Sequence, residues 1–84
     1  MSQREAVDAV VRALAVELKA SEEAIRAARS LRGELGMDSI AVANVLYALE
    51  DEYDCELDLD GVKRLDSVAD LARVLGGSAA ALGH

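Results

Sequence analysis

The sequence has no proline, phenylalanine or tryptophan, and only one cysteine and one histidine among its 84 residues. A single cysteine cannot form an internal disulfide, so a disulfide-stabilised fold is excluded, and we expect Cys55 to be a free thiol in a reducing compartment. Cys55 has no obvious metal-binding partner, and we assign His84 no role. Ala, Val and Leu supply most of the 52% hydrophobic content, which favours helices over sheets.

No run of about 18 apolar residues is present, which excludes a transmembrane helix. Arg4, Glu5 and Asp8 stand where a signal peptide would need an apolar core, so we expect residence in the cytoplasm. The length is that of one small domain, predicted over residues 1–77, with a flexible C-terminal tail over residues 78–84. We expect a monomer.

The net charge of −7 is concentrated in one segment. Residues 33–62 carry nine acidic and no basic side chains, while the segments on either side each carry a net charge of +1. This distribution argues against nucleic-acid binding, which needs a basic face. It favours protein partners with basic docking patches, approached by electrostatic steering, although an acidic surface that only improves solubility has the same pattern.

Apolar residues recur at helical spacing in three long stretches, which predicts an all-α fold: a small four-helix bundle of three longer helices and one short helix, with a long first loop. The first helix should begin at Ser2, where Ser2 and Glu5 have the spacing of a capping box, and end at Lys19. The last helix should begin at Ser67, and Gly76-Gly77 should stop it. The predicted core stripes of these two helices are Val7, Val10, Val11, Leu14 and Leu18, and Val68, Leu71, Val74 and Leu75.

The connections between the long helices also carry apolar residues. The first connection, residues 21–35, is expected to hold a short helical turn with Ile25 pointing inward, and to be pinned to the bundle by Leu31 and Leu35. Residues 54–60 alternate polar and apolar side chains, as a strand does, but a strand would have no partner. We therefore predict an extended loop that buries Leu57 and Leu59, followed by a short helix around residues 61–65.

The stretch from Gly33 to Tyr53 combines a turn with an amphipathic helix. Gly33 and Gly36 permit backbone angles that other residues resist, and Asp38 is a good N-cap, so the helix should run from about Ser39 to Tyr53. One face is predicted to enter the core: Val42, Val45, Leu46, Leu49 and Tyr53. The opposite face, which we call the docking face, mixes apolar and acidic side chains and favours contact with a partner: Ile40, Ala43, Asn44, Tyr47, Glu50 and Asp51.

Ser39 stands at the start of this helix. A serine in that position commonly satisfies only a backbone N–H. Here Asp38 fills the capping role, which leaves the Ser39 hydroxyl free to face solvent. The unpaired N–H groups and the dipole of a helix N-terminus stabilise a phosphate, so a phosphodiester on Ser39 would be favoured.

No catalytic set is apparent in the sequence. A serine nucleophile needs a base within hydrogen-bonding reach, and the only histidine is at the chain end. The carboxylates of residues 54–60 lack the spaced glycine and the final bidentate glutamate of a calcium-binding loop. We therefore expect neither an enzyme nor a metal site.

The motif Leu35-Gly36-Met37-Asp38-Ser39-Ile40 resembles the attachment motif of acyl carrier proteins, the small four-helix carriers of fatty-acid and polyketide synthesis. Two further stretches, Leu49-Glu50-Asp51-Glu52-Tyr53 and Leu65-Asp66-Ser67-Val68-Ala69-Asp70-Leu71, resemble the acidic end of the second family helix and the start of the last one. The resemblance covers nearly the whole chain, from about Glu5 to Leu75.

The resemblance implies that Ser39 is modified with 4′-phosphopantetheine by a phosphopantetheinyl transferase, with Asp38 beside the magnesium of that step. Acyl-loading and acyl-processing enzymes would be the further partners. Fatty-acid carriers usually have acidic residues where this sequence has Ala41 and Asn44, which suggests a specialised pathway. Two alternatives stay open: an aminoacyl or peptidyl carrier, although those usually have a Gly-Gly-His-Ser type of motif, and an unmodified acidic helical adaptor.

Overall fold

A computed structural model of the chain describes residues 2–57 and 61–82, with side chains described over residues 2–57 and 61–77. Helix α1 spans Gln3–Leu18, α2 spans Glu22–Ala27, α3 spans Ser39–Tyr53 and α4 spans Val68–Leu82; a single 3-10 turn spans Val62–Arg64. These described ranges contain no strand. The all-α class, with three longer helices and one short helix, is therefore confirmed.

Helix α1 is the central element and contacts α2, α3 and α4, with its most extensive contact to α4. Its predicted capping box is present: Ser2 Oγ accepts the Glu5 N–H at 3.1 Å, and Glu5 Oε1 accepts the Ser2 N–H at 3.3 Å. Lys19 ends the helix in the left-handed conformation, with φ of 53°. The sequence therefore predicted both ends of α1 correctly.

The core lies between α1, α3 and α4 and is closed by side chains from the two connections. In α1, Val10, Val11 and Leu14 are fully buried, while Val7 and Leu18 pack at its edge. The buried apolar residues of the connections and of the other helices are Ile25, Leu31, Met37, Val42, Val45, Leu46, Leu49, Cys55, Leu57, Leu71, Ala72 and Leu75. Full burial of one large aliphatic side chain contributes about 1.5–3 kcal/mol, so this continuous cluster is the main source of stability.

Both connections follow the expected course. Ser21 caps α2 by accepting the Ala24 N–H at 3.1 Å, and Ile25 points into the core. After α3 the chain is extended and buries Cys55 and Leu57, whereas the predicted burial of Leu59 lies outside the described residues. Within the ranges the structure describes, no helix is both long and apolar enough to cross a membrane.

The predicted stop of the last helix at Gly76-Gly77 is wrong, because α4 continues to Leu82. A glycine ends a helix by taking a left-handed conformation, and neither Gly76 nor Gly77 has a positive φ. Gly76 instead faces α1, where an added Cβ would lie 3.7 Å from that of Ala6. Packing against α1 thus carries the helix through both glycines. The division into a domain over 1–77 and a flexible tail over 78–84 stays a prediction.

The continuation of α4 predicts the effect of Gly77→Ala. Gly77 is exposed and an added Cβ would contact nothing, so alanine should stabilise the protein by about 0.5–1 kcal/mol through its higher helix propensity. Urea unfolding followed by circular dichroism measures the change. Gly36→Ala is the control, and it should destabilise because Gly36 has φ of 67°. A Gly77→Ala protein no more stable than the parent would show that the helix ends earlier.

Candidate functional site

The loop before Ser39 is folded tightly on itself. The Ser30 carbonyl accepts hydrogen bonds from the Glu34 N–H at 3.0 Å and the Leu35 N–H at 3.3 Å, and the Leu31 carbonyl accepts one from the Met37 N–H at 3.0 Å. Leu31 and Met37 are buried, and Leu35 packs against the core cluster. The loop is therefore anchored to the bundle just before the chain enters α3, as the sequence predicted for Leu31 and Leu35.

The two glycines of this loop have different roles. Gly36 has a positive φ of 67°, so the turn needs the conformational freedom of glycine, as predicted. Gly33 also lies in the predicted turn, but its φ is not positive, so its backbone does not need the freedom of glycine. Gly33 is small for a different reason: an added Cβ would lie 3.0 Å from Ser30 Oγ, which accepts the Gly33 N–H at 2.9 Å.

The carboxylate of Asp66 ties this loop to the opposite end of the chain. Asp66 Oδ1 accepts the backbone N–H of Arg32 at 2.9 Å, and Oδ2 accepts the Ser30 hydroxyl at 2.8 Å. The Asp66 carbonyl also accepts the Leu31 N–H at 2.7 Å. Three consecutive loop residues are thus held by a single residue that lies between the 3-10 turn and α4.

These hydrogen bonds hold the pKa of Asp66 below its usual value, chiefly through the Arg32 N–H and then through the Ser30 hydroxyl. Asp70, in the first turn of α4, accepts the Asp66 N–H at 3.1 Å, and this bond is the main cause of its lowered pKa. The Asp70 N–H in turn bonds Ser67 Oγ at 3.1 Å. The Asp70 carboxylate thus binds chiefly the N–H of Asp66, one residue before the predicted cap Ser67, and the N–H of Ser67 makes a smaller contribution to its lowered pKa.

Helix α3 begins as the sequence predicts. Asp38 has extended backbone angles, with φ of −104° and ψ of −178°, and its Oδ1 accepts the Ala41 N–H at 2.8 Å. Asp38 is exposed, Ser39 is half-buried and Ile40 is exposed. The N–H groups of Ser39 and Ile40 bond to none of the described residues, as is usual in the first turn of a helix.

A guanidinium group lies beside the Ser39 hydroxyl. Arg32 Nη1 donates to Ser39 Oγ at 3.0 Å, and Nη2 donates to the Val62 carbonyl at 2.9 Å. The Arg32 Nε is buried and finds no acceptor in the described part of the chain. Sequence reasoning placed the Ser39 hydroxyl in open solvent and did not include Arg32. Ser39 is instead half-buried, and its hydroxyl accepts a hydrogen bond from a cation.

The two faces of α3 separate as predicted. Val42, Val45, Leu46 and Leu49 are buried, and Tyr53 is half-buried with its hydroxyl 3.2 Å from Arg12 Nη2. On the docking face the side chain of Ile40 is 72% exposed and that of Tyr47 is 54% exposed. Three other members of the face are Asn44 and Asp51, which are exposed, and Ala43, which is half-buried.

Glu50 differs from the rest of the docking face. It is half-buried, and its Oε2 accepts the backbone N–H of Leu57 at 2.7 Å. This bond holds the extended segment after α3 against the helix and places Cys55 in the core. Burial, with smaller effects from the carboxylates of Glu50 and Asp54, raises the pKa of the Cys55 thiol. Cys55 is thus less reactive than an exposed thiol, because less of it is thiolate.

Arg32, Ser30 and Asp66 are the site residues that sequence reasoning missed. Arg32 precedes Ser39 by seven residues, across a turn whose path cannot be read from periodicity. Asp66 is 34 residues from its partner Arg32 and 36 from Ser30. The only available signal was a single arginine at the edge of a segment without any basic residue.

Comparison with known proteins agrees with this geometry. The family described as "phosphopantetheine attachment site" matches residues 8–75. The chain is also similar to "acyl carrier protein 3" of Ralstonia nicotianae, with 31% identity over 83 residues that cover 99% of this chain and 95% of the relative. The chain belongs to the acyl carrier protein family. No solved structure gave a significant match to it.

Acyl carrier proteins are carriers rather than catalysts, and their cofactor is 4′-phosphopantetheine. Membership in the family implies interaction with a phosphopantetheinyl transferase and with acyl-handling enzymes. The residues of this acyl carrier protein fit such a group: a half-exposed serine opens α3, the N–H groups of Ser39 and Ile40 bond to none of the described residues, and a guanidinium lies 3.0 Å from the serine oxygen. Each of these features favours a phosphate.

The anchoring role of Asp66 predicts the response of this acyl carrier protein to acid. A carboxylate whose pKa is lower in the folded state stabilises it above the unfolded pKa of about 3.9, and that stability is lost as the pH falls through the folded pKa. Asp66→Asn should lower the urea midpoint at pH 7. It should also flatten the fall in stability between about pH 5 and pH 2.

Asp51→Asn is the matched control, because Asp51 is exposed and its carboxylate accepts no hydrogen bond from the described residues. It should keep the pH dependence of the parent protein. Urea unfolding by circular dichroism at stepped pH values gives both curves. Identical pH profiles for Asp66→Asn and Asp51→Asn would show that the Asp66 carboxylate does not anchor the loop.

Proposed function

We propose that this acyl carrier protein holds acyl intermediates as thioesters on a 4′-phosphopantetheine arm attached to Ser39, and presents them to partner enzymes. The observation that carries the proposal is that capping and attachment use different residues at the start of α3. Asp38 caps the helix through the Ala41 N–H, so the Ser39 hydroxyl is not needed for capping. Ser39 therefore has an oxygen available for attachment, at the start of a helix that follows a loop held by the core and by Asp66.

The attachment step makes few demands on the carrier itself. A bond forms between Ser39 Oγ and the phosphorus next to the pantetheine of coenzyme A, the adenosine 3′,5′-bisphosphate leaves, and a base of the transferase takes the hydroxyl proton. In the carrier, Arg32 donates to Ser39 Oγ, which leaves the hydroxyl proton free to be donated to that base. Asp38 is exposed and uses only Oδ1 as a cap, so Oδ2 is available to the magnesium of the transferase.

The carrier's contribution to the later steps is delivery. A thioester on a tether reaches each enzyme at a high effective concentration once the carrier has docked. The docking face begins next to Ser39, and Ile40 and Tyr47 are its two exposed large apolar side chains. Nine acidic and no basic residues over 33–62 favour partners with basic patches.

The absence of carboxylates early in α3 indicates the kind of pathway. Early in α3 the sequence has Ala41 and Asn44 where fatty-acid carriers usually have carboxylates, and we infer a polyketide, specialised fatty-acid or other secondary-metabolite pathway. Gly36-Met37-Asp38-Ser39 favours an acyl cargo over an aminoacyl one. A buried, unpaired Cys55 fits a reducing compartment, and we place the carrier in the cytoplasm as a monomer.

Attachment at Ser39 is tested by intact-mass measurement after incubation with a broad-specificity transferase and coenzyme A. The protein should gain one phosphopantetheinyl group, and Ser39→Ala should gain none. Ser21→Ala is the matched control, because Ser21 caps another helix, and it should be modified like the parent. A modified Ser39→Ala would place the arm elsewhere, and an unmodified parent protein would support an adaptor without an arm.

The docking face is tested by transfer kinetics. Truncating an anchor side chain at an interface commonly costs 1 kcal/mol or more, so Tyr47→Ala should lower kcat/KM of the transferase roughly fivefold or more. Asp51→Lys should act mainly on association and depend on salt. Both variants should keep the thermal stability of the parent, because neither side chain is in the core.

Two exposed positions away from this face serve as controls. Val16→Ala matches the loss of an apolar side chain, and Glu23→Lys matches the reversal of charge. Both should leave kcat/KM unchanged. If Tyr47→Ala and Asp51→Lys behave like these controls, the assigned docking face is incorrect.

A further inference from the structure

The Arg32 guanidinium is unusual for a protein that carries many carboxylates. It forms no ion pair with any carboxylate of the described residues; the ion pairs found there are made by Arg26 and Arg73. Arg32 hydrogen-bonds Asp66 through its backbone N–H, and its guanidinium charge acts on that carboxylate from beyond ion-pair distance, as a minor contribution to the lowered pKa of Asp66. Among the described residues, no carboxylate forms a direct ion pair with this half-buried cation beside Ser39.

The guanidinium is also fixed in position. Nη2 donates to the Val62 carbonyl in the 3-10 turn, Nη1 donates to Ser39 Oγ, and the backbone of Arg32 is held by Asp66. Such a group is pre-organised, because it loses little rotamer freedom when it binds a ligand. Its buried Nε–H still lacks an acceptor among the described groups, so its donors are not all used.

We propose that Arg32 binds the phosphate of the arm on Ser39, exchanging its hydrogen bond to the serine oxygen for a charge-assisted pair with the phosphodiester. This inference rests on the proposed function. A phosphorus bonded to Oγ carries its unesterified oxygens close to a donor that is already 3.0 Å from Oγ. Guanidinium groups bind phosphate oxygens more strongly than they bind a neutral hydroxyl.

The surrounding negative charge favours this pairing. Residues 33–62 contain no basic side chain, and therefore none of them can neutralise a phosphate on Ser39. The carboxylate of Asp38 belongs to the residue next to Ser39. Without Arg32, the added negative charge would face the carboxylates of α3 and its flanking loop. Arg32 is thus a positioning residue: it offsets the charge of the phosphate and directs the first atoms of the arm away from the acidic helix.

A comparison of apo and arm-bearing proteins tests the pairing without any partner enzyme. Wild type, Arg32→Gln and Arg32→Lys are each prepared with and without the arm, and the change in Tm on modification is measured. The Tm difference, modified minus unmodified protein, should be about 4–8 °C higher in wild type than in Arg32→Gln. Arg32→Lys should fall between them, because lysine keeps the charge but lacks the fork that bridges Val62 and Ser39.

Arg29→Gln is the matched control. Arg29 lies three residues earlier in the same loop, is exposed, and its guanidinium bonds to no described residue. It removes the same charge and should leave the Tm change of wild type intact. If Arg29→Gln and Arg32→Gln reduce the change equally, the effect is one of net charge and the proposed pair does not form.

Nuclear magnetic resonance of the wild-type protein gives a reading that does not depend on the folding of a variant. On modification, the Arg32 Nε–H resonance should shift while that of Arg29 does not. If modification does not shift the Arg32 resonance, the proposed pair with the phosphate does not form. An arm detected by intact mass in that protein would still support attachment at Ser39. If no protein takes up the arm, both proposals fail.

Discussion

The position of Ser39 depends on the carboxylate of Asp66, which binds the long loop from a distant part of the chain. Its two oxygens accept the Arg32 N–H and the Ser30 hydroxyl, and its carbonyl accepts the Leu31 N–H. A loop of this length would otherwise sample many conformations, and each ordered residue costs conformational entropy. The contacts to Asp66, with the burial of Leu31 and Met37, offset that cost, so α3 begins at a defined place.

Electrostatics act on two distance scales around this serine. Over long distances the acidic segment dominates, since it carries nine negative charges, and it can attract a basic partner before contact. Screening limits such effects to about 8 Å at physiological ionic strength, so the immediate surroundings of Ser39 are set by its nearest neighbours. There the guanidinium of Arg32 lies 3.0 Å from Ser39 Oγ, and its positive charge is opposite to that of the acidic segment. A site can thus repel anions overall and still favour one phosphate at one oxygen.

Helix α3 serves the core and the surface at the same time. Val42, Val45, Leu46 and Leu49 are buried, whereas Ile40 and Tyr47 on the other side are largely exposed. Because helical side chains are spread around the axis, changes on the exposed side leave the core packing untouched. Glu50 lies between the two sides, and its bond to the Leu57 N–H supports the chain that follows the helix.

The sequence by itself determined the helices, their caps and their buried faces, because these depend on residues within a few positions of one another. The Ser2–Glu5 capping box, the Asp38 cap and the stripe from Val42 to Leu49 are local patterns of this kind, and so is the motif around Ser39 that marks the family. Tertiary structure alone decided what happens where distant segments meet. The alignment of α4 with α1 carries the helix through Gly76 and Gly77, although a glycine pair predicts an end. The contacts of Asp66 with Ser30 and Arg32, and of Arg32 with Ser39, depend on the path of a turn and on the approach of segments more than thirty residues apart. No periodic pattern encodes such contacts, since they arise only once the apolar core has brought those segments together.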